Sequence, residues 1–364
     1  MEKTISQTIY NDFQDISPVS EKTLKLFKEK SGKIIEMLNE KLLTESKFLP
    51  EKTLIESALF EKEITTLFSE MMLGIYEFDL YSCLPEETSW FISVLSGRGY
   101  DREFLEKLLL NWNIALHSHL NSTQAHELAQ PLELLQKNLP SLYSLGDTDD
   151  PPLPEILEKI IGFLLNKQKK EAAECILKLY QQGTPFETIL SEYLPLVMQK
   201  IGMLWQKNKI TVVDQHVATD LCTYIMFRLS EEIVIKDTLP YKAVVSCVPG
   251  EAHEMGAEIL ETYLELKGWS TLSMGHIAPQ SDILQAVLVM KPDVIFLSVS
   301  MIARLPEARK MAFEIRSALP DARIIMGGRA AMRAKNKLKD CSDIIASGFE
   351  EGHKQALKLV KTNA

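Results

Sequence analysis

The sequence predicts an all-helical N-terminal part followed by an α/β domain built on a parallel sheet, and three observations carry this. Up to residue 143 the apolar residues recur at three- and four-residue spacing, with no strand pattern between them. Residues 154–236 then divide into four helix-length segments with end signals. From Lys242 the period changes to short apolar runs whose starts lie 20 to 30 residues apart, the spacing of right-handed βαβ units. With 364 residues, 46% of them hydrophobic, there is material for two or three cores.

In the first 143 residues, Leu24, Phe27, Ile34, Ile35, Leu38 and Leu42 mark one amphipathic helix. Ile64, Leu67, Phe68, Met71, Met72 and Ile75 mark a second. Further helices are expected over Glu86–Leu95, Asp101–Leu120 and Thr123–Asn138, separated by the breakers Pro85, Gly97 and Gly99, with Ser122 or Thr123 capping the last. The proline-rich polar run over 144–153 reads as a linker. The four segments Pro154–Asn166, Lys169–Gln182, Pro185–Gln206 and Val212–Val234 have connections short enough for an antiparallel bundle over 154–236. Thr184-Pro185-Phe186-Glu187 has the spacing of a capping box with proline at the first helical position, and Thr211-Val212-Val213-Asp214 repeats it with the shorter acid.

Strands are expected at Ala243–Val248, Ser270–Met274, Val294–Val299, Arg323–Met326 and Asp343–Ala346, each followed by a helix, giving a flavodoxin-like Rossmann domain over 241–364. Such folds bind ligands beyond the carboxyl ends of their strands, so the loops after strands one, three and four are the place to look.

Charge and composition narrow the function. Residues 1–150 hold 14 Lys and Arg against 25 Asp and Glu, while the remainder is close to neutral. A nucleic-acid module would carry a basic face, so no nucleic-acid partner is expected. The acidic, polar start has neither the basic region nor the apolar core of a signal peptide, and no apolar run is of membrane-spanning length; a cytoplasmic protein without a membrane partner is expected. Five widely spaced cysteines, with no CxxC, read as reduced thiols acting as small buried hydrophobes.

The loop after strand one reads Pro249-Gly250-Glu251-Ala252-His253-Glu254-Met255-Gly256. It lacks the GxGxxG of a dinucleotide-binding turn. It offers instead a histidine with a carboxylate two residues before it, an arrangement that suits a metal-ligating imidazole whose second nitrogen is held by an acid. Ser298-Val299-Ser300 follows strand three and Gly327-Gly328 follows strand four, supplying hydroxyls and bare backbone where a bulky ligand tail would descend between strands.

Together these residues resemble the cobalamin-binding fold of the methionine-synthase type, with its pattern DxHxxG, SxL and GG. The resemblance spans Lys242 to about Val360, and the preceding bundle is similar in size and order to that family's cap. It implies His253 as the lower axial ligand of cobalt, Glu251 as its partner, Gly256 as the glycine closing that motif, Ser298 against the buried base, Ser300 in the tail pocket, and Gly327 and Gly328 beside the nucleotide tail. Glu251 stands where Asp is common, and Ser300 replaces the Leu of SxL.

In the bundle, Trp205, Gln215 and His216 have the spacing Trp-x9-Gln-His, similar to the Trp-x9-Glu-His signature of B12-dependent light-sensing regulators. In that family the tryptophan and the acid enclose the adenosyl group of adenosylcobalamin. Gln215 keeps the hydrogen-bonding capacity and loses the charge. Gln206 stands where those regulators can place a histidine that ligates cobalt after light. The resemblance implies a photoreceptor rather than an enzyme: light cleaves the cobalt–carbon bond, the cap shifts, and a light-dependent homo-oligomer signals to a separate, unidentified protein. The acidic N-terminal module of about globin size is unlike a DNA-binding winged helix and looks like the photocobilins, which hold biliverdin beside the cobalamin. His117, His119 and His126, near Trp112 and Tyr100, are then candidates to contact a bilin propionate or pyrrole, and their alternative is exposed helix histidines. A corrinoid carrier for methyl transfer and a haem or tetrapyrrole sensor on the same fold remain the other classes.

Overall fold

A computed structural model describes residues 9–45, 54–144, 152–235, 238–275 and 279–361. Most of the expected linker, residues 145–151, lies outside them. The described residues fall into two units, one within Met1–Asp150 with the link Gln206–Lys209, the other within Pro151–Trp205 and Ile210–Ala364. None of the described helices is long and apolar enough to cross a membrane.

The first unit is helical: α1 (Glu21–Glu45), α2 (Leu54–Phe78), a 3-10 turn (Tyr81–Cys83), α3 (Leu84–Gly97), α4 (Arg102–His119) and α5 (Ser122–Ser144). Trp112 is fully buried at its centre, with the Phe27 and Phe68 rings at 6.3 and 5.8 Å. Three boundaries differ from expectation. Pro85 opens α3 rather than breaking it, because a first-turn N–H has no helical acceptor to lose. The cap of α5 is Asn121, whose side-chain oxygen accepts from the Gln124 N–H at 3.0 Å, and Ser122 is already helical. Helix α5 also runs on past Asn138, through Pro140, to Ser144, and the buried Leu132, Leu135, Leu139 and Leu142 offset the local cost of Pro131 and Pro140 within it.

The second unit begins with four helices. These are α6 (Glu155–Leu165), α7 (Lys169–Gln181), α8 and α9 (Val212–Glu231). Helix α8 starts at Phe186–Thr188, widens into a π-turn at Ile189–Tyr193 and continues over Leu194–Gln206. The box at the start of α9 forms: Thr211 Oγ1 accepts from the Asp214 N–H at 3.1 Å, and Asp214 Oδ2 accepts from the Thr211 N–H at 3.0 Å. The corresponding box at α8 does not form. The helix starts one residue later than expected, so Pro185 is the cap residue, with neither a side-chain acceptor nor an N–H to hold, and the Glu187 carboxylate meets Lys267 Nζ at 2.6 Å.

Five parallel strands follow in the order β2-β1-β3-β4-β5: β1 (Lys242–Cys247), β2 (Ser270–Ser273), β3 (Val294–Ser298), β4 (Ile324–Gly327) and β5 (Ile344–Ile345). Helices α10 (Met255–Leu266), α11 (Gln280–Met290), α12 (Leu305–Ala318), α13 (Arg329–Arg333) and α14 (Phe349–Lys361) connect or follow them. Only a five-residue helix follows β4, where a full-length one is expected. Four cysteines are buried as expected, and Cys175 is half-buried.

Helix α10 is shared by two cores. Met255, Ile259, Tyr263 and Leu266 join one apolar cluster with Leu190, Leu194 and Ile201 of α8 and with Cys222 and Ile225 of α9. Ala257 and Leu264 join the sheet's cluster, with Val245, Phe296 and Ile325. Ile259→Ala therefore opens a cavity in the joint and is expected to cost about 2–5 kcal/mol of unfolding free energy, measured by urea denaturation followed by circular dichroism.

Candidate functional site

Strand register places Cys247, Ser298 and Gly327 side by side in one row at the carboxyl crest of the sheet. The loops that carry the chemistry start just beyond this row. Glu251 and His253 follow β1, Ser300 and Met301 follow β3, and Gly328 follows β4.

Glu251 is the fixed point. Its side chain is wholly buried, while that of His253 is 60% exposed. One carboxylate oxygen, Oε1, accepts from the His253 N–H at 3.0 Å and faces His253 Nδ1 at 2.7 Å. The other, Oε2, accepts from the backbone N–H groups of Ser300 at 2.8 Å and Met301 at 2.9 Å. Burial disfavours the ionised acid, but the hydrogen bonds from His253 and the Met301 N–H prevail and hold its pKa below the usual carboxylate range. An ionised carboxylate only accepts, so Nδ1 of His253 is the donor in this pair, and Nε2 is the ring nitrogen left to face a ligand. The nearby Cys247 thiol is pushed up to about 12, by burial first and then by the Glu251 charge, which keeps it protonated at neutral pH.

A cavity of about 350 Å³ runs down from the crest beside the sheet. Gly256, Ser298, Ser300, Gly327 and Gly328 all line it, so five of the expected residues come together there. Gly328 has φ +100°, and a Cβ on it would lie 2.3 Å from the Val299 carbonyl oxygen, so only glycine fits. Gly250, at φ +77°, lies flat under Arg304, whose guanidinium would stand 3.1 Å from a Cβ there.

The bundle end is placed by its contacts with α10. Phe186 and Glu187, at the start of α8, meet Tyr263 and Lys267 at the far end of α10, whereas Thr223 Oγ1 of α9 donates to Glu258, one turn into α10. Helix α8 therefore runs towards the crest and α9 runs back from it. Pro195 lines the cavity beside Gly256, and Trp205, ten residues on, stands about 15 Å further along at 1.5 Å per residue. Trp205 and Gln215 are half-buried, and His216 is exposed in the second turn of α9 rather than the first. In the first unit His117 and His126 are exposed, His119 is half-buried, and His117 Nδ1 lies 3.0 Å from the Asn113 carbonyl of its own helix. Trp112 and Tyr100 are core residues; the Tyr100 hydroxyl donates to the buried Glu61 at 3.4 Å.

Residues 241–357 match the B12 binding domain family, and residues 156–230 match a second family described in the same words. Both segments are B12-binding domains. The chain is 22% identical over 190 residues to dimethylamine corrinoid protein 1 of Methanosarcina acetivorans, covering 50% of this chain and 86% of that protein. It is 27% identical over 146 residues to the HTH-type transcriptional repressor CarH of Myxococcus xanthus, covering 39% of this chain and 47%, about half, of the repressor. The monomethylamine corrinoid protein of Methanosarcina barkeri superposes with a TM-score of 0.48 at 17% identity, covering 56% of this chain and 98% of that one.

The B12-binding domains have a donor set that fits a corrinoid: an exposed imidazole with its second nitrogen anchored, beside a slot of nucleotide size whose floor admits no side chain at Gly328. The Met301 N–H and the bundle residues Ser191 and Pro195 also belong to this region, and sequence reasoning missed them. A main-chain donor has no residue-type signal; the only trace of the bundle wall was a proline inside an apolar helix.

Two outcomes follow for the domain. Gly328→Ala should cost at least about 2 kcal/mol of stability, read from the denaturation midpoint of the purified protein. Glu251→Ala should weaken cobalamin binding by about 10- to 100-fold in a spectroscopic titration, because His253 loses the group that orients it.

Proposed function

We propose that this cobalamin-binding protein is a photoreceptor rather than an enzyme, and that its cofactor is adenosylcobalamin. Bound adenosylcobalamin supplies a cobalt–carbon bond that visible light cleaves. Glu251 would hold the proton on Nδ1 of His253, and His253 would offer Nε2 to the cobalt. Ser298, Ser300, Gly256, Gly327 and Gly328 take the nucleotide tail. Trp205, Gln215 and His216 would hold the adenosyl group.

The light reading is supported by the position of these last three residues in the chain, at the end of α8 and the start of α9, in a bundle whose core shares α10 with the sheet. A change in what they touch moves α8 and α9 against α10. A ligand event at the crest thus becomes a packing event at the bundle surface, where a second copy of the chain docks and a separate protein reads the outcome. Biliverdin is assigned to the N-terminal part as a second chromophore. His117 and His119 end α4 and His126 lies near the start of α5, so a two-residue turn gathers all three at one corner.

Purified protein loaded with adenosylcobalamin should change both its absorption and its oligomeric size under green light, and a complex indifferent to light refutes the photoreceptor. His253→Ala should abolish the spectrum of histidine-ligated cobalt, and an unchanged spectrum refutes the lower ligand. Expression with B12 and biliverdin supplied together should yield two pigments in one absorption spectrum. The second reading, a corrinoid carrier for methyl transfer, is supported by the match to most of the length of the dimethylamine corrinoid protein. It predicts methyl transfer between the bound corrinoid and a methylamine-dependent partner, with no response to light.

A further inference from the structure

The cavity beside the sheet has a wall that the B12-binding Rossmann domain does not supply. Along one side stand Gly256 and Leu260 of α10, and along another the sheet residues Val245 and Phe296; Ser191 and Pro195 of the bundle close it. Both bundle residues are half-buried, and both lie in or next to the π-turn of α8. The cause of that turn is local. Pro195 has no N–H to give to the carbonyl of Ser191, and its ring crowds that carbonyl. The helix responds by widening: the Leu194 N–H donates five residues back, to Ile189. Ile189, Leu190 and Leu194 are fully buried in the bundle core, so the widened turn is held from behind. Ser191 and Pro195, four residues apart, share one face, and that face looks into the cavity.

We propose that this π-turn is a recognition element for the buried nucleotide tail, with Ser191 and Pro195 selecting corrinoids by whether they carry a tail and by its size. The inference rests on the cobalamin reading and deepens it. The cavity's chemistry points to a partly polar occupant with an apolar body. Its walls are mainly apolar, serine hydroxyls come from Ser191, Ser298, Ser300 and Ser347, and among the described lining residues Arg329 alone is charged. A tail seated there touches the bundle as well as the sheet, so its insertion sets the position of α8.

The probes are cobalamin and cobinamide, the same corrin without the nucleotide tail, each titrated into the whole purified chain. Wild type should prefer cobalamin by about tenfold or more, a difference of about 1.4 kcal/mol. Ser191→Trp, which fills the wall, should erase that preference and leave cobinamide affinity unchanged; an undiminished preference overturns the proposal. Hydrogen exchange on the wild-type chain needs no variant to fold. Amides within residues 188–198 should be more protected with cobalamin than with cobinamide, and equal protection overturns the proposal. A wild-type chain that binds neither corrinoid instead refutes the cobalamin reading itself.

Discussion

One buried carboxylate organises the site. Glu251 has no exposed side-chain surface, and an isolated charge there would be costly, so both of its oxygens are committed: one to His253 of its own loop and one to the backbone of the loop after β3. The result is a brace between neighbouring strand ends. It leaves the imidazole exposed while removing its freedom to rotate or to change tautomer, the condition for a metal ligand that must be present before the metal arrives. The longer Glu, where Asp is common in the resembling family, joins the two loops through a single side chain.

The brace gains mechanical meaning from α10, which begins two residues after His253. Most surface helices bury one stripe; this one buries a stripe on the sheet and another in the bundle. The loop of His253, the cavity beside the sheet and the bundle are therefore joined through the packed side chains of α10 rather than by a flexible link.

Much of this was legible in the sequence. The five strands could be found because buried parallel strands are short apolar runs at βαβ spacing, and the loops after β1, β3 and β4 follow from the rule for open α/β sheets. Glu251 and His253 stood out because an acid and an imidazole two apart have a specific chemical use. What stayed hidden lacked a residue-type signature or was decided at long range. The N–H groups of Ser300 and Met301 are main-chain atoms, and the side chain of Ser300 invited a tail-pocket role while its backbone did a second job. Thr184 to Glu187 had the letters of a capping box, but the cap fell on Pro185, which has no N–H to hold, and Lys267, eighty residues away, pairs with the acid. The helix expected to end at Asn138 runs on through Pro140 to Ser144, carried by the leucines packed along it.

The widened turn of α8 has one more consequence, for phase. A π-turn amounts to a single residue inserted into an α-helix, and each residue of an α-helix advances the side chains about 100° around the axis. Everything downstream, Trp205 included, owes its compass bearing to that extra residue. Excising one amino acid between Ile189 and Tyr193 would swing the indole roughly a quarter-circle aside while leaving every residue of the crest in place.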